Sequence, residues 1–350
     1  MSTQTTYCID SANYVDTVNL FKAEPERVSN VEILVINDII ARDIIELIPA
    51  LESPPNTHFA PFALPINKMF NLTLLNIVNC DFKDSISEHA YCEIALPNLH
   101  TLRVEHCQDI VCIDKCTRLV ELYLNNTRVD YLPELSHLTN LSLFNSAFLT
   151  FSSYVFPNLF NVTIDDTVGA YALLEVPSIT HIEIHNQISG LPSMSSIAHK
   201  ITHMSLYNYS KPINFAAFTK LSYLYIHNYN YDIVITDLQL CQSLTALHVC
   251  NCKSQLLLSR LPALSVLFVI DVNSFTCINL DIFPTLIHMK LHNITVPFNI
   301  RGESLRDFTI IDAAVNHETA QYITIKASRT NRPIPIIYFP TAKNTYMRPN

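Results

Sequence analysis

The chain has 350 residues, of which 49% are apolar and 15% are charged, and this composition excludes an intrinsically disordered protein. Its net charge of −9 leaves no domain-wide basic surface, which argues against a nucleic-acid partner. No stretch approaches the roughly 18 uninterrupted apolar residues of a membrane-spanning helix, so no membrane partner is expected either.

The start of the chain predicts a cytoplasmic protein. Residues 1–16 (MSTQTTYCIDSANYVD) contain neither the basic region nor the apolar region of a secretory signal. Without such a signal, the ten cysteines are better explained as reduced thiols than as a disulfide framework. We therefore expect a cytoplasmic location.

Residues 1–69 are predicted to form an N-terminal cap that contains one weak copy, at Val31, of the repeat that fills the rest of the chain. Residues 38–51 then show a helical spacing of apolar residues, and residues 54–65 form a proline-rich loop. End repeats of a stacked protein need a polar outer surface, which favours a cap. The alternative is an F-box-like helix that docks onto another protein, although the residues that define an F-box are absent.

Residues 70–315 carry a pattern, L-x-x-L-x-L-x-[ND], that returns at intervals of 19 to 23 residues from Leu99 onward. The eighth position is Asn or Asp in every copy except one, where His106 stands. Self-similarity at a fixed period of this size indicates a solenoid built from one strand-containing unit stacked many times. The copies begin at Val31, Leu72, Leu99, Leu119, Leu138, Leu159, Ile179, Ile201, Leu221, Leu244, Leu264, Leu286 and Leu305.

These copies resemble the leucine-rich repeat family, whose unit reads L-x-x-L-x-L-x-x-[NC]-x-L. The segments LHTLRVEHC (residues 99–107) and LVELYLNNTRV (residues 119–129) match that unit closely. The resemblance covers roughly residues 70–315. It implies an α/β solenoid, a right-handed superhelix with a parallel β-sheet on its concave face, and says little about function.

The segments that return the chain to the next strand are predicted to be short 3₁₀ or irregular turns on the convex side. A unit of about 20 residues leaves about ten for the return, which is too few for a regular helix with two turns. Prolines suited to extended or single-turn connections precede several strands, at Pro97, Pro157, Pro177, Pro262 and Pro284.

The eighth position is predicted to form the turn that ends each strand. Such a bend often needs a positive φ, which Asn, Asp and His tolerate best after Gly, and the chain has only three glycines. The alternative is a polar rail of side chains along the edge of the sheet. The ninth position is Tyr209, Tyr229 or Val272 in later copies, so these cannot all make the internal hydrogen bond of the family's Asn or Cys.

The fourth and sixth positions are predicted to face the core, because they alternate with polar positions as in a half-buried strand. Thr163, at a fifth position, is expected to be exposed. Residues placed at equivalent core positions are Leu122, Leu143, Ile182, Leu224 and Leu247. Beyond the repeats, residues 316–350 are predicted to form a C-terminal cap or tail, in which YITIK and PIPIIYF look like closing strands.

The third, fifth and seventh positions should point to the concave face. The core does not need these side chains, so the residues that determine ligand binding are expected there. Along the chain this face passes from charged and amide residues to a Tyr/His patch and then to an apolar patch. Aromatic residues are enriched at binding hot spots, and exposed apolar residues need cover or a partner. The alternative is that these side chains only pack along the sheet. The predicted partner-binding residues are His181, His185, His203, Tyr207, Tyr223, Tyr225, His227, His248, Phe268 and Ile270.

Two groups of residues could be interpreted as metal sites, but neither has the full pattern of ligands. We therefore predict no metal and no other cofactor. A zinc site could be drawn from the seventh positions His185, Tyr207, His227 and Cys250. Their spacing is that of every residue in a sheet, and no carboxylate is evident to orient the ligands. Cys112 and Cys116 lack a second ligand pair nearby, which favours buried thiols.

These features favour a non-catalytic scaffold that binds a protein partner on its concave face. The sequence has no nucleophile elbow, Walker loop, H-E-x-x-H or G-x-G-x-x-G, so we predict that it is not an enzyme. One alternative is an F-box-like substrate receptor of a ubiquitin ligase, and another is an inhibitor or regulator of an enzyme. We expect a monomer whose histidines, which gain charge near pH 6.5, make binding sensitive to pH.

Overall fold

The structure is a computed structural model that describes most of the repeat region and parts of both ends. The described residues are 5–10, 12–38, 69–80, 91–93, 96–107, 110–113, 115–127, 129–146, 148–150, 156–165, 170–186, 194–209, 212–229, 237–253, 255–258, 260–272, 274–277, 284–292, 295–296, 307–311, 314–315 and 337–338. Apart from Asp38, the predicted helix at 38–51 lies outside these ranges, as do the proline-rich loop at 54–65 and the predicted strand YITIK. The chain divides into two compact units, Met1–Ile179 and Thr180–Asn350.

In the first unit, the strands of a parallel sheet lie side by side in the order in which the chain forms them. The strands are β1 (Thr6–Ile9), β2 (Ile33–Asn37), β3 (Leu74–Val78), β4 (Tyr91–Glu93), β5 (Thr101–Glu105), β6 (Ile110–Cys112), β7 (Glu121–Asn125), β8 (Val129–Tyr131), β9 (Asn140–Phe144), β10 (Phe148–Thr150) and β11 (Asn161–Ile164). The sheet order is β1-β2-β3-β5-β7-β9-β11, and β4–β6 and β8–β10 form separate parallel pairs. Helices α1 (Tyr14–Ala23) and α2 (Pro25–Ser29) connect β1 to β2.

The second unit repeats the same plan. Its strands are β12 (His181–His185), β13 (His203–Tyr207), β14 (Tyr223–His227), β15 (Ala246–Cys250), β16 (Gln255–Leu258), β17 (Val266–Ile270), β18 (Ser274–Cys277), β19 (His288–His292), β20 (Thr295–Val296), β21 (Asp307–Ile311), β22 (Ala314–Val315) and β23 (Ile337–Tyr338). The sheet order is β12-β13-β14-β15-β17-β19-β21-β23, again parallel, and β16–β18 and β20–β22 form separate pairs.

Burial alternates along the strands of both sheets, as expected when one face packs against a core. In β13, Met204 and Leu206 are fully buried, whereas His203, Ser205 and Tyr207 are only half-buried. The first-position residues of the copies are buried as well: Leu72, Leu99, Leu119, Leu138, Leu159, Ile179, Ile201, Leu221, Leu244, Leu264 and Leu286. The sequence-adjacent parallel strands and this buried column confirm the parallel-sheet leucine-rich repeat solenoid.

The weak copy at Val31 is also part of this pattern. It forms β2, in which Leu34 and Ile36 are fully buried, and β2 pairs in register with β3. The division into a cap at 1–69, a solenoid at 70–315 and a tail at 316–350 stays a prediction.

The eighth position forms the predicted turn wherever that residue itself is described. Each eighth residue has φ between 43° and 61°: Asp38, Asn79, His106, Asn126, Asn145, Asn186, Asn208, Asn228, Asn251 and Asp271. For nine of these ten residues the backbone N–H continues the sheet; that of Asn208, for example, donates to the His227 carbonyl oxygen at 2.9 Å. His106 replaces Asn without changing the turn, because His also tolerates the left-handed region.

The same residues also form the polar rail that the sequence offers as an alternative. The Asn79 Nδ2 donates to Asp38 Oδ1 at 2.9 Å, and the Asn208 Nδ2 donates to Asn186 Oδ1 at 3.1 Å. Turn and rail are therefore compatible functions of one column of residues.

A second column of side-chain hydrogen bonds, which the sequence analysis did not predict, lies just before the strands. The Thr202 hydroxyl donates to the Thr180 carbonyl oxygen at 3.2 Å, and the Ser222 hydroxyl donates to the Thr202 carbonyl oxygen at 3.0 Å. Thr245 and Ser265 continue this column in the second unit. These second-position hydroxyls tie the repeats that carry them to the preceding repeats.

The prolines that precede the strands lie in tight turns, as predicted. The Leu99 N–H donates to the Leu96 carbonyl oxygen at 3.1 Å, which places Pro97 at the second residue of a four-residue turn. Pro262 has the same position between Leu261 and Leu264. Proline is favoured there because its fixed φ matches the turn and no N–H is needed.

The return segments are only partly as predicted. Three 3₁₀ turns, Ala170–Glu175, Phe215–Ala217 and Asp237–Leu240, occur among the described residues, together with one short α-helical turn, Ser195–Ala198. The four short pairs of parallel strands on the return side were not predicted. In the described part of the chain, no helix is long and apolar enough to cross a membrane.

Two side-chain placements expected from the sequence are wrong. Leu143 pairs with Leu124, and the residue opposite Leu122 is Leu141. Leu141 and Leu143 of β9 both face the core, so shifting β9 by two residues against β7 leaves the same apolar face buried. Only the first-position residue Leu138 distinguishes the two registers. Thr163 is buried, with 9% exposure, because a short side chain in a strand interior projects little beyond its neighbours.

The ninth position is buried whether or not its side chain is polar. In the first unit, the Thr127 and Ser146 hydroxyls donate to backbone carbonyl oxygens two residues earlier at 3.0 and 2.9 Å. In the second unit, the rings of Tyr209 and Tyr229 are buried and stacked, with centroids 6.2 Å apart. Val272 is buried as well, so apolar packing replaces the family's Asn or Cys in these copies.

A candidate binding face on the second unit

All ten predicted partner-binding residues lie on one face of the second unit's sheet. We call this the outer face and define it as the third, fifth and seventh positions of β12 to β15, β17 and β19. Each of the ten is partly exposed, and the register aligns them strand by strand. The structure therefore brings the predicted residues together, while their role in binding stays a prediction.

One row of rings begins at the third position of β12 and reaches the fifth position of β15. The imidazoles of His181 and His203 are stacked, with centroids 3.9 Å apart and planes 10° apart. Tyr223 follows His203 at 5.8 Å, and His248 lies 5.5 Å from Tyr223. Ring contacts therefore join all four strands from β12 to β15.

A second row begins at the seventh position of β12. The His185 and Tyr207 rings are stacked, with centroids 4.3 Å apart and planes 8° apart. Tyr225 lies 5.2 Å from Tyr207 and 6.1 Å from His248. His248 then meets the Phe268 ring edge-on at 4.6 Å. The two rows meet at His248, so the aromatic rings form one contiguous cluster.

Hydroxyl groups hold the first row in place, and sequence reasoning missed this role. His181 Nδ1 lies 2.8 Å from the Thr180 hydroxyl, and His203 Nδ1 lies 2.9 Å from the Thr202 hydroxyl. The Thr202 hydroxyl donates its single proton to the Thr180 carbonyl oxygen. Both bonds are satisfied when His203 Nδ1 carries the proton, which leaves Nε2 as an acceptor. A Ser or Thr immediately before a third-position His is the signal that could have revealed this.

The second row is held by a carboxylate. Glu183 Oε1 lies 2.5 Å from His185 Nε2, and both side chains are on the outer face of β12. The same carboxylate contributes to the raised pKa of Tyr207, although burial is the larger cause. Together these effects raise the pKa of Tyr207 to about 12.

The outer face is uncharged near neutral pH over most of its area. Burial raises the pKa of Tyr223 and of Tyr225, so these phenols keep their protons. Burial lowers the pKa of His203 and of His248, which favours their neutral forms. The rings therefore present neutral donors and acceptors.

The zinc reading finds no support in the described residues, which contain no group of three or more His, Cys, Asp or Glu side chains arranged to hold a metal. Of the four residues in that reading, Tyr207 stacks on His185. Burial raises the pKa of the Cys250 thiol and raises that of Cys252 to about 11. Burial thus favours the protonated form of both thiols.

Beyond the rings, the outer face becomes apolar and then basic. Val266, Phe268 and Ile270 form the outer face of β17 and are partly exposed. Lys290, on β19, is in register with Phe268. Neither Lys290 nor its neighbour His288 was among the residues predicted to bind.

The first unit offers a different surface at the corresponding positions. Arg103 and Glu121 are exposed there, and Tyr123 contacts Phe144 with centroids 5.4 Å apart. Asn161 Nδ2 donates to Asn140 Oδ1 at 3.2 Å. This agrees with the charged and amide-rich character predicted for the early copies.

No protein-family model and no curated protein matches this chain. Among solved structures, an internalin (inlF) from Listeria monocytogenes has 16% identity and a TM-score of 0.48, with 79% of this chain and 90% of that chain covered. A leucine-rich repeat protein of Leptospira interrogans has 12% identity and a TM-score of 0.46, with 96% and 100% covered. TLR13, in a complex with ssRNA13, has 11% identity and a TM-score of 0.35, with 83% and 64% covered. These likenesses are distant, so the fold assignment rests on the chain's own repeat and parallel sheet.

Proposed function

We propose that this leucine-rich repeat protein is a non-catalytic scaffold that binds a protein partner on the outer face of its second unit. The observation that supports this best is the contiguous ring cluster from His181 to Phe268. The core does not need these side chains, since the buried residues of the same strands are at the fourth and sixth positions. A cluster of aromatic residues on a rigid sheet is the usual composition of a binding hot spot.

The cluster is preorganised, which favours tight binding. The stacked pairs His181–His203 and His185–Tyr207 fix four rings, and the Thr180 and Thr202 hydroxyls fix two of these again. A partner therefore loses little binding free energy to the ordering of side chains, which otherwise costs about 0.5–1.5 kcal/mol for each immobilised side chain.

The protonation states favour recognition over catalysis. A general base must release or accept protons near the working pH. The Tyr207 phenol, with a pKa of about 12, stays protonated and is therefore available as a hydrogen-bond donor. The face thus combines apolar rings with neutral polar tips, which suits the mixed apolar and polar surface of a protein.

The charge of the face favours protein over nucleic acid. On the outer face of β12 to β19, within the described residues, Lys290 is the one permanently cationic side chain. A nucleic acid is held mainly by several Lys or Arg contacts to phosphates. The whole-chain net charge of −9 acts in the same direction.

Two other functions use the same face and differ in what else the chain binds. An inhibitor or regulator would cover an enzyme with it, whereas an F-box-like receptor would also need a docking helix near residue 40. That segment lies outside the described residues. A cytoplasmic location and a monomeric state stay predictions from the sequence.

The proposal is tested by selecting random peptides displayed on phage against the immobilised full chain. The selected clones are then assayed on Tyr225→Ala and on Glu134→Ala, which changes an exposed residue of the first unit. We expect Tyr225→Ala to lose most clones and Glu134→Ala to retain them. Equal retention on both variants would exclude the outer face as the binding surface.

A further inference from the structure

We propose that the partner segment is an acidic, apolar peptide whose carboxylate binds Lys290 and whose apolar side chain covers β17. This inference rests on the proposed function and adds the chemistry and the direction of the partner. It comes from the apolar strip, defined as Val266, Phe268 and Ile270, and from the charges around it.

The apolar strip is unusual for the outer face. β17 reads VLFVI, so its outer residues are as apolar as Leu267 and Val269, which are fully buried in the core. In register beside the strip lie Ala246, His248 and Cys250 on β15. An exposed apolar strip between neighbouring strands loses contact with water when a partner covers it, which contributes favourably to binding.

Lys290 supplies a charge that this face does not compensate. Within the described residues, no carboxylate lies within salt-bridge distance of its ammonium group. Its register neighbours are uncharged, with Phe268 on one side and Thr309 on the other. The acids on the flanking repeats are Asp271, whose Oδ1 lies 3.7 Å from His292 Nδ1, and Asp307, which is in register with His288 and not with Lys290.

The acid of the outer face lies at its opposite end, on β12. Glu183 is the acidic residue of the outer face of β12, and it is bonded to His185. The charge that lies next to the apolar strip is therefore the positive charge of Lys290, which is in register with Phe268. Register places the two about one strand spacing apart, roughly 4.8 Å. A partner segment complementary to this surface therefore carries a carboxylate close to an aliphatic or aromatic side chain. Its acidic end lies over β19.

The direct test uses three sub-libraries of displayed peptides that share the same apolar positions. Their remaining positions are acidic, neutral amide or basic. On the full chain, we expect the acidic library to be enriched at least tenfold over the basic one. Lys290→Glu should reverse this preference, since it replaces the ammonium by a carboxylate at the same place. Lys220→Glu makes the same charge change at an exposed turn residue and should leave the preference unchanged.

The contribution of the apolar strip is tested with a second matched pair of variants. Phe268→Ala should reduce the capture of acidic clones at least tenfold, whereas Leu240→Ala, at a residue 52% exposed on a 3₁₀ turn, should retain it. Thermal unfolding followed by circular dichroism confirms that each variant is folded before it is assayed.

The failure of this inference differs from the failure of the proposed function. If clones depend on Tyr225 but show no acidic preference, or keep it in Lys290→Glu, the inference is overturned and the proposed function stands. If no clones depend on Tyr225, both are overturned.

Discussion

The side-chain amide of Asn228 donates a hydrogen bond to the side-chain oxygen of Asn208 at 2.5 Å, and both residues hold a positive φ. Each Asn therefore turns the chain out of its own strand and also binds the Asn of the neighbouring repeat. Glycine could provide the turn but not the hydrogen bond. This explains how a chain with three glycines forms ten described left-handed turns at its eighth positions.

Two variants of Asn208 separate the contribution of the turn from that of the side-chain hydrogen bonds. Asn208→Gly keeps the positive φ and loses the hydrogen bonds to Asn186 and Asn228. Asn208→Val loses these hydrogen bonds and also disfavours the positive φ. We expect the valine variant to be less stable than the glycine variant by about 1–2 kcal/mol, the cost of a left-handed residue with a side chain. Urea denaturation measures both free energies of unfolding. Equal values would mean that the turn does not constrain this position.

The buried column should be sensitive to cavities. Leu224 is fully buried at a fourth position, in register with Met204 and Leu247. Leu224→Ala should lower the free energy of unfolding by about 2–5 kcal/mol, because close-packed neighbours collapse only partly into the space. Leu240→Ala is the matched control at an exposed leucine, and it should cost less than about 0.5 kcal/mol. A mild effect at Leu224 would show that the assigned register is wrong.

The hydroxyl column should contribute through hydrogen bonds and not through packing. Thr202→Val keeps the shape of the side chain and removes its hydroxyl, which contacts the Thr180 carbonyl oxygen and His203 Nδ1. We expect a loss of about 0.5–1.5 kcal/mol in urea denaturation. Thr202→Ser keeps the hydroxyl and should recover most of this loss. If the serine variant is no more stable than the valine variant, the hydrogen bonds do not stabilise the stack.

Stability should fall as the pH is lowered through the histidine range. Burial lowers the pKa of His181, His203 and His248 in the folded chain, so the unfolded chain binds protons first as the pH falls. The free energy of unfolding therefore declines from about pH 6.5 downward, toward the lowered folded-state pKa values. His203→Phe keeps a ring in the stack and removes one titrating group. Thermal unfolding at pH 7.5 and 5.5 should show a smaller decline for this variant, and an equal or larger decline would refute the assignment.

The repeat, the register of most strands and the turns were accessible from the sequence, because each depends on a local residue choice. An Asn or Asp eight positions into each copy predicts a left-handed turn, and Pro97 before Leu99 predicts a tight one. The position of Leu143 was misassigned because β9 alternates apolar residues, so its pattern alone cannot separate registers that differ by two.

The details of the binding face depend on relations between distant parts of the sequence. Register places His181 beside His203, but the stacking of their rings depends on side-chain rotamers that no pattern encodes. The uncompensated charge of Lys290 likewise depends on which residues lie on the neighbouring strands. The short strand pairs of the return side are two to four residues long, too short for a periodic signal.

The most direct test of the central claim is the affinity of one selected peptide for the full chain, measured by isothermal titration calorimetry with three proteins. These are the unmodified chain, Tyr225→Ala and Glu134→Ala. Tyr225 lies between Tyr207 and His248 at the centre of the ring cluster, so its truncation should cost about 2 kcal/mol or more of binding free energy. Glu134→Ala should change the affinity by less than about 0.5 kcal/mol. Unchanged affinity for Tyr225→Ala together with weaker binding for Glu134→Ala would contradict recognition through the outer face.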